Sequence, residues 1–218
     1  MAIPKQIFQT YKTDRLSWVT RLNIWKIRRQ NRDYAYHFYD DAAVEAFFEN
    51  EMPPEYAAAY RRLTIGAAKA DFFRYAILYV KGGVYLDLDS SIRRPLDRFI
   101  HPDDVAVITR EGNPGLYVQW GLIFDKGHPI LKRTLEMVLD NINTHRYPHD
   151  VHATTGPGVY TQAINACIAE NPDLPYRMFG TDFEGNMVFK FWLGKMLKYE
   201  KKRNHWRKKQ AEQDIIAE

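Results

Sequence analysis

The sequence has few of the features that mark several classes of protein. Cys167 is the only cysteine among 218 residues, so a disulfide-stabilised scaffold is excluded. The longest apolar run, from Phe72 to Val80, contains Arg74 and is far shorter than the ~20 residues of a membrane-spanning helix. The first residues pass directly into a strand-like segment and lack the apolar core of a signal peptide. These absences predict a soluble protein of a reducing compartment, or the soluble part of a longer chain.

The excess of positive over negative charge is small for the whole chain, but the charges are unevenly distributed along it. The formal net charge is +4, which is low for a nucleic-acid-binding protein. Nine Lys and Arg residues and one acid lie between Lys190 and Lys209, which leaves the rest of the chain acidic. We therefore predict one domain over residues 1–190 and a basic helical segment over residues 191–218, packed on the domain or extending from it. A solvated helix and contact with an anionic membrane are the alternatives for that segment, and nucleic-acid binding is disfavoured because no aromatic platform accompanies the charge.

Strand-like and helix-like segments alternate along the chain. With 45% hydrophobic and 14% aromatic residues, the chain can bury a large core. We predict strands at 3–10, 34–39, 84–88, 105–109 and 121–124, and helices at 18–30, 42–48, 56–63, 65–80, 129–141 and 158–169. Gly82 is expected to end the fourth helix in a left-handed conformation. This alternation predicts an α/β fold with a mostly parallel sheet.

Two carboxylates lie at the end of the strand predicted at 84–88. Because side chains alternate along a strand, Tyr85, Asp87 and Asp89 are expected on one face, with the apolar residues on the other. Ligands of open α/β sheets bind beyond the carboxyl ends of the strands. Two carboxylates there suit a hard divalent cation such as Mg²⁺ or Mn²⁺. The alternative is a pair of solvated aspartates that bind nothing.

The helix before this strand carries a second polar pair. Asp71 and Arg74 lie one turn apart, at a spacing that allows an ion pair. Small and apolar residues surround both, which predicts that the pair is buried. Buried charges need partners, so we expect either an ion pair alone or an ion pair that binds a polar ligand.

Together these residues resemble a block found in a known family. The pattern is Ala67-x-Lys69-x-Asp71-x-x-Arg74-Tyr75-x-x-Leu78-x-x-x-Gly82-Gly83-x-Tyr85-x-Asp87-x-Asp89. It is similar to the central block of the D-x-D sugar transferases of glycosyltransferase family 32, which include mannosyltransferases, galactosyltransferases and bacterial capsule enzymes. The segment 3–11 resembles the opening strand of that family, with Phe8 and Tyr11 where it usually has His and Trp. Thr155-Gly156-Pro157 resembles a later T-G-P loop, and His205-Trp206 resembles a C-terminal His and Trp.

The resemblance implies a GT-A fold, in which a Rossmann-like, mostly parallel sheet flanked by helices binds a nucleotide sugar. It implies a retaining hexosyltransferase of polysaccharide biosynthesis that uses a UDP- or GDP-linked donor, Mn²⁺ or Mg²⁺, and a glycan or lipid-linked acceptor. Tyr11 would stack on the base with Gln9 in the same pocket. Carried over by position, the catalytic set is Asp71, Arg74, Asp87 and Asp89; the donor-binding set is Gln9, Tyr11, Asp71, Arg74, Tyr85, Asp87, His205 and Trp206; and the metal set is Asp87, Asp89 and His205.

Two other functions compete with this interpretation. A relative that binds nucleotide sugars or carbohydrate without turnover would keep the same residues. A haloacid-dehalogenase-like phosphatase also has a D-x-D after an apolar strand, but close to its N-terminus, whereas Asp87 follows 86 residues. From the sequence we expect a cytoplasmic protein, with peripheral contact at the inner face of the membrane as an alternative, and no nucleic-acid partner.

Overall fold

The computed structural model describes residues 3–190 and 206–217. Within these ranges none of the helices has the length and apolar character needed to cross a membrane. The strands are β1 (Gln6–Thr10), β2 (Ala35–Tyr39), β3 (Gly83–Leu86), β4 (Ser91–Ile92), β5 (Ala106–Arg110), β6 (Gly121–Phe124), β7 (Arg177–Thr181) and β8 (Met187–Val188). The helices are α1 (Trp18–Gln30), α2 (Asp41–Glu51), α3 (Pro54–Arg62), α4 (Gly66–Lys81), α5 (Pro129–Asn143), α6 (Val151–Thr154), α7 (Pro157–Glu170) and α8 (Trp206–Glu212).

Six strands form one sheet in the order β2-β1-β3-β6-β5-β7. All of them run parallel except β6, which is antiparallel to both of its neighbours, β3 and β5. The predicted α/β fold with a mostly parallel sheet is therefore confirmed. The carboxyl ends of the five parallel strands meet at one edge of this sheet, which is where ligands bind in open α/β folds.

The sheet separates two hydrophobic clusters. Phe8 and Tyr85 lie on the face covered by α2, α3, α4, α5 and α7. Ile7 and Val84 lie on the opposite face, where Ile27 of α1 packs against them. The alternation predicted for the strand that contains Tyr85 is thus correct within β3, and each face buries its apolar side chains against a different layer.

Gly82 ends α4 and lies directly before β3. Gly82 has a φ of +65°, and its N–H donates to the carbonyl of Leu78 at 2.9 Å. A Cβ at this position would lie 2.8 Å from the Pro4 side chain and 2.7 Å from the backbone nitrogen of Lys126. The predicted glycine cap is confirmed, and both the left-handed backbone and the close packing require it.

Three strands were not expected from the sequence, namely β4, β7 and β8. β4 and β8 have two residues each and form a separate two-stranded sheet. Two residues are too few for a periodic pattern. β7 lies at the sheet edge next to β5. Arg177 at its start donates to both carboxylate oxygens of Asp104, at 2.7 and 2.6 Å, so a contact distant in sequence fixes this strand.

The described C-terminal residues pack on the domain. Ile215 and Ile216 are buried in the same cluster as Phe8, and the N–H of Thr64 donates to the carbonyl of Ile215 at 2.9 Å. Most of the basic stretch, residues 191–205, lies outside the described residues. The domain boundary at residue 190 therefore stays a prediction.

Candidate active site

The D-x-D lies in a turn directly after β3. The N–H of Asp87 donates to the carbonyl of Trp120 at 2.8 Å, and the N–H of Ser90 donates to the carbonyl of Asp87 at 2.9 Å. The first bond continues the pairing with β6, and the second closes a turn. The strand itself ends at Leu86, so the prediction that it continues to residue 88 was wrong. Asp89 therefore lies in the turn and is not placed by strand alternation. Both carboxyl groups still lie at the carboxyl-end edge of the sheet.

Gln9 supports this turn from inside the domain. Its side-chain amide donates to the carbonyls of Leu86 and Asp87, both at 3.3 Å, and its oxygen accepts from the hydroxyl of Tyr36 at 2.9 Å. The residue is fully buried. Because its polar atoms are engaged by the protein, Gln9 holds the turn. It is not among the residues that line the cavity beside Tyr11, and its contact with the base stays a prediction.

Arg74 joins the helix α4 to the D-x-D turn. Its Nη2 lies 3.1 Å from Asp71 Oδ1 and 2.9 Å from Asp87 Oδ1. Its Nη1 donates to the carbonyl of Gln119 at 2.8 Å. Only 5% of Arg74 and 6% of Asp71 are exposed, so the predicted buried ion pair is confirmed. The second carboxylate partner, Asp87, was not expected. The guanidinium of Arg74 therefore connects the Asp71–Arg74 pair of α4 with the D-x-D.

Tyr85 lies behind these charges. Its hydroxyl donates to Asp87 Oδ1 at 3.1 Å, and the guanidinium of Arg74 lies 4.9 Å from the centre of its ring. The residue is buried. Tyr85 therefore positions Asp87 and Arg74, whereas the resemblance had placed it among the donor-binding residues.

The T-G-P loop reaches the other side of Asp71. Thr155 Oγ1 donates to Asp71 Oδ2 at 3.2 Å. The carbonyl of Thr155 accepts from the hydroxyl of Tyr75 at 3.1 Å, and the side-chain amide of Gln119 donates to the same hydroxyl. Three segments that are distant in the sequence thus meet around Asp71 and Tyr75 of α4.

Burial governs the protonation of these carboxyl groups. It raises the pKa of Asp71 to about 7, although the neighbouring Arg74 opposes that change. Burial, followed by the charge of Asp87, raises the pKa of Asp89 to about 6. The pKa of Asp87 is also raised by burial, against the effects of Arg74 and Tyr85. Ionising these three carboxyl groups in the folded protein therefore costs free energy, and a bound cation would reduce that cost.

A cavity of about 380 Å³ opens over Asp71 and Asp87, and we call it the carboxylate cavity. Asp71, Arg74 and Asp87 lie on its wall, together with Trp206. A second cavity of about 300 Å³, the Tyr11 cavity, shares Trp206 with the first. A third of about 530 Å³, the Trp120 cavity, shares five residues with the carboxylate cavity: Glu111, Asn113, Trp120, Phe189 and Lys190.

Two aromatic side chains from the donor-binding set border these spaces. Tyr11 lines the Tyr11 cavity. Trp206 stacks on His152 with ring centres 5.2 Å apart and lies between the Tyr11 and carboxylate cavities. His205 lies outside the described residues, so its roles at the metal and the donor stay predictions.

Several cavity residues were missed from the sequence. Glu111 and Asn113 follow β5 and line both the carboxylate and Trp120 cavities. The rule that located Asp87, which searches the carboxyl ends of parallel strands, would also have found Glu111. Phe189 and Lys190 follow the two-residue strand β8, and no sequence pattern indicated that they would reach the site.

The D-x-D carboxylates have the donor chemistry of a hard divalent cation site. Asp87 Oδ1 accepts from Arg74 and Tyr85, and its other oxygen accepts no hydrogen bond from the part of the chain that the structure describes. Asp89 carries a second carboxylate two residues away, beside the charge of Asp87. Oxygen ligands of this kind suit Mn²⁺ or Mg²⁺. Across residues 3–190 and 206–217 there is no group of three or more His, Cys, Asp or Glu side chains that could hold a metal ion.

Comparisons with known proteins agree with this site. Residues 18–106 match the family model described as "Glycosyltransferase sugar-binding region containing DXD motif". The chain is 27% identical over 203 residues to the "Initiation-specific alpha-1,6-mannosyltransferase" of Candida albicans, with 74% of this chain and 52% of that protein covered. It is 31% identical over 159 residues to the "Inositol phosphoceramide mannosyltransferase 3" of Schizosaccharomyces pombe, with 72% and 43% covered. The chain thus spans about half the length of these curated relatives.

Solved structures share the fold. The PaToxG glycosyltransferase superposes with a TM-score of 0.63 at 21% identity, over 78% of this chain and 70% of that one. The glycosyltransferase domain of the YGT toxin superposes with a TM-score of 0.59 at 8% identity, over 81% and 80%. The expected GT-A fold is confirmed. The matched family region contains Asp71, Arg74, Asp87 and Asp89, and through it the chain belongs to the D-x-D-containing glycosyltransferases of family 32.

Proposed function

We propose that this chain is a metal-dependent glycosyltransferase that moves a hexose from a UDP- or GDP-linked donor to a glycan or lipid-linked acceptor. The observation that carries the proposal is the buried arrangement in which one guanidinium, Arg74, holds both Asp71 and Asp87 at the wall of the carboxylate cavity. Such a cluster is costly to bury, and its position at the carboxyl-end edge of the sheet is where an α/β fold binds its ligand.

The donor diphosphate is proposed to lie beside the D-x-D. A Mn²⁺ or Mg²⁺ ion held by Asp87 and Asp89 would stabilise the negative charge that develops on the departing diphosphate. Arg74 and Tyr85 fix the orientation of the Asp87 carboxylate through Oδ1. Such preorganisation matters because a carboxylate already in place needs no reorganisation during the reaction.

The donor sugar is proposed to contact Asp71. One oxygen of Asp71 faces Arg74 and the other accepts from Thr155, so the group is held rigidly while its edge borders the cavity. A carboxylate in this place accepts hydrogen bonds from sugar hydroxyls and favours positive charge on the sugar carbon. The base is proposed to occupy the Tyr11 cavity, with Trp206 between base and diphosphate.

The identity of the sugar is supported by the relatives. Both fungal relatives named above are mannosyltransferases, so mannose is the first candidate for the transferred hexose. Retention of configuration is proposed from the family resemblance, without an assigned nucleophile. Nuclear magnetic resonance of the anomeric proton in the first-formed product distinguishes retention from inversion.

The test of this function is a screen of donors. We expect Mn²⁺-dependent release of UDP or GDP from one member of a panel of UDP- and GDP-linked sugars, even without acceptor, because water replaces the acceptor slowly. Release is measured for the wild type, for the wild type with chelator, and for Asp89→Asn. Asp173→Asn, an exposed aspartate in a distant loop, is the matched control and should retain the activity.

The screen also separates the competing functions. Binding of a nucleotide sugar without any release would indicate a non-catalytic relative. Absence of both release and nucleotide-induced thermal stabilisation would contradict the proposal. A phosphatase that uses Asp87 as a nucleophile is disfavoured because Arg74 and Tyr85 both occupy its Oδ1 and because β3 is the third strand of the chain, not the first.

The acceptor is proposed to bind in the Trp120 cavity. Trp120 stacks on Phe189 with ring centres 5.7 Å apart, which offers an aromatic wall to a sugar ring. Asp182 and Glu111 add carboxylates, and Lys26 and two other cations line the same space. This mixture suits a polyhydroxylated acceptor that carries an anionic group, and it adjoins the carboxylate cavity.

Asp182→Asn tests the acceptor site. We expect transfer to the best acceptor from a panel of mannosides and inositol phospholipids to fall about tenfold to a hundredfold, since one charge-assisted hydrogen bond is lost. Release of the nucleotide without acceptor should stay at the wild-type rate, because Asp182 does not line the carboxylate cavity. Equal transfer by the variant and the wild type would show that the acceptor binds elsewhere.

A further inference from the structure

Helix α1 carries an apolar stripe that residues 3–190 and 206–217 leave exposed. Trp18 is 67% exposed, Leu22 48% and Trp25 55%. Their spacing of four and then three residues places them in one line along the helix, about 10 Å long at 1.5 Å per residue. Apolar residues of this size are normally buried, and a contiguous exposed group marks a contact surface.

Basic side chains flank this stripe on the same exposed surface. Residues 15–32 contain six Lys and Arg residues and no acid. An open groove beside the stripe is lined by Trp25, Tyr34 and Tyr36 and by four of these arginines. The four are Arg21, Arg28, Arg29 and Arg32. Arg29 lies over the ring of Trp25 at 5.1 Å and Arg28 over that of Tyr36 at 5.5 Å. Within the described residues these four arginines form no ion pair with a carboxylate.

We propose that this face of α1 binds the surface of an anionic lipid bilayer. Tryptophan and leucine enter the boundary between headgroups and acyl chains, while the arginines meet lipid phosphates. The local excess of positive charge complements such a surface. A second copy of the chain is a poorer partner, because a two-fold contact through this face would bring two sets of unpaired arginines together.

The opposite face of α1 faces the candidate active site. The side-chain amide of Asn23 donates to the carbonyl of Ser90 at 2.8 Å, directly after the D-x-D, and Lys26 lines the Trp120 cavity. Because Lys26 lies on α1, a domain docked through α1 holds the Trp120 cavity one helix diameter, ~10 Å, from the docked face. Delivery of a lipid-linked acceptor to that cavity rests on the proposed function, whereas membrane binding itself does not.

Vesicle cosedimentation of the full chain tests the proposal in the absence of any donor. We expect binding to vesicles of phosphatidylserine and phosphatidylcholine, and much weaker binding to phosphatidylcholine alone. Trp18→Ala with Trp25→Ala should lower the partition coefficient about tenfold or more. Arg21→Gln with Arg28→Gln should lower it about fivefold for each charge removed. All four positions are exposed, and circular dichroism checks that the variants fold.

Matched variants identify which surface binds. Met178→Ala replaces an exposed apolar residue away from α1, and Arg61→Gln with Lys132→Gln removes two exposed charges from other helices; both should bind like the wild type. Equal binding by the α1 variants and the wild type would overturn the proposal, as would loss of binding only when the charges of Lys201 and Lys202 are removed. A dimer in solution that Trp25→Ala dissociates, or binding to single-stranded RNA that outcompetes the vesicles, would assign the surface to another partner and would also overturn it.

Discussion

Replacement of Arg74 by methionine should nearly abolish donor turnover and also destabilise the fold. The guanidinium is the only group in the described residues that contacts both Asp71 and Asp87. Without it the Asp87 carboxylate loses its fixed orientation, and Asp71 loses the cation that keeps part of it ionised. We expect the rate of nucleotide release to fall about a thousandfold, the size of effect seen when a preorganised electrostatic partner is removed.

The stability change follows from the same contacts. Removing one partner of a buried ion pair leaves an unpaired buried charge, which lowers the free energy of unfolding by roughly 3–5 kcal/mol. Urea unfolding in the presence of chelator measures this change. Arg61→Met is the matched control, since Arg61 pairs with Glu49 on the surface at 2.8 Å. This substitution should change the free energy of unfolding by less than ~1 kcal/mol.

The pH dependence of this stability gives an independent test. Burial raises the pKa of Asp71 to about 7 in the folded wild type, whereas the unfolded chain ionises it near pH 4. The folded state therefore binds more protons than the unfolded state between these values, and stability in chelator should fall as pH rises across that window. In Arg74→Met the fall should extend above pH 7, because the cation that lowers the pKa of Asp71 is missing. A variant with wild-type stability at every pH would contradict the role given to Arg74.

Replacement of Asp89 by asparagine should remove activity and leave the fold intact. Asparagine keeps the size of the side chain but loses a charge that a divalent cation needs. We expect nucleotide release to fall about a hundredfold or more. In contrast to Arg74→Met, the free energy of unfolding in chelator should stay equal or rise by about 1 kcal/mol, because burial and Asp87 already disfavour ionised Asp89 and raise its pKa to about 6.

Thermal unfolding with and without Mn²⁺ tests whether Asp89 binds the metal ion or contributes to activity in another way. An ion that binds only the folded state stabilises it, by about 2.7 kcal/mol at a hundredfold excess over its dissociation constant. We expect this stabilisation in the wild type and in Asp173→Asn, and little of it in Asp89→Asn. Full Mn²⁺ stabilisation of the Asp89→Asn variant would show that the D-x-D is not the metal site.

Local sequence predicted most of the elements because their signals are short-range. Apolar periodicity placed α1 at the same residues as the structure, and Gly82 marked the end of α4 because its left-handed backbone is a local requirement. β7 had no such signal. Its Arg177–Asp104 contact joins residues 73 positions apart, which a local pattern does not reveal.

The candidate site was predictable where the residues form a compact motif. Asp71, Arg74, Asp87 and Asp89 lie within 19 residues, and the i,i+3 spacing of the first two follows directly from helix geometry. The strand rule failed at Asp89 because the backbone turns there, where the N–H of Ser90 donates to the carbonyl of Asp87. The resemblance places Gln9 beside the base, and the fold adds a role that the motif does not indicate, because the Gln9 amide holds that turn.

By itself, the sequence determined the α/β alternation, the D-x-D block and the buried Asp71–Arg74 pair, because each depends on residues close together along the chain. Only the tertiary structure decided that Arg74 also holds Asp87, that Thr155 contacts Asp71 and that Glu111 joins the cavity wall. It also decided that the described part of the chain leaves the stripe on α1 exposed. These features depend on which strand ends and helix faces come together when the sheet forms. Packing between segments distant in sequence decides which of them meet.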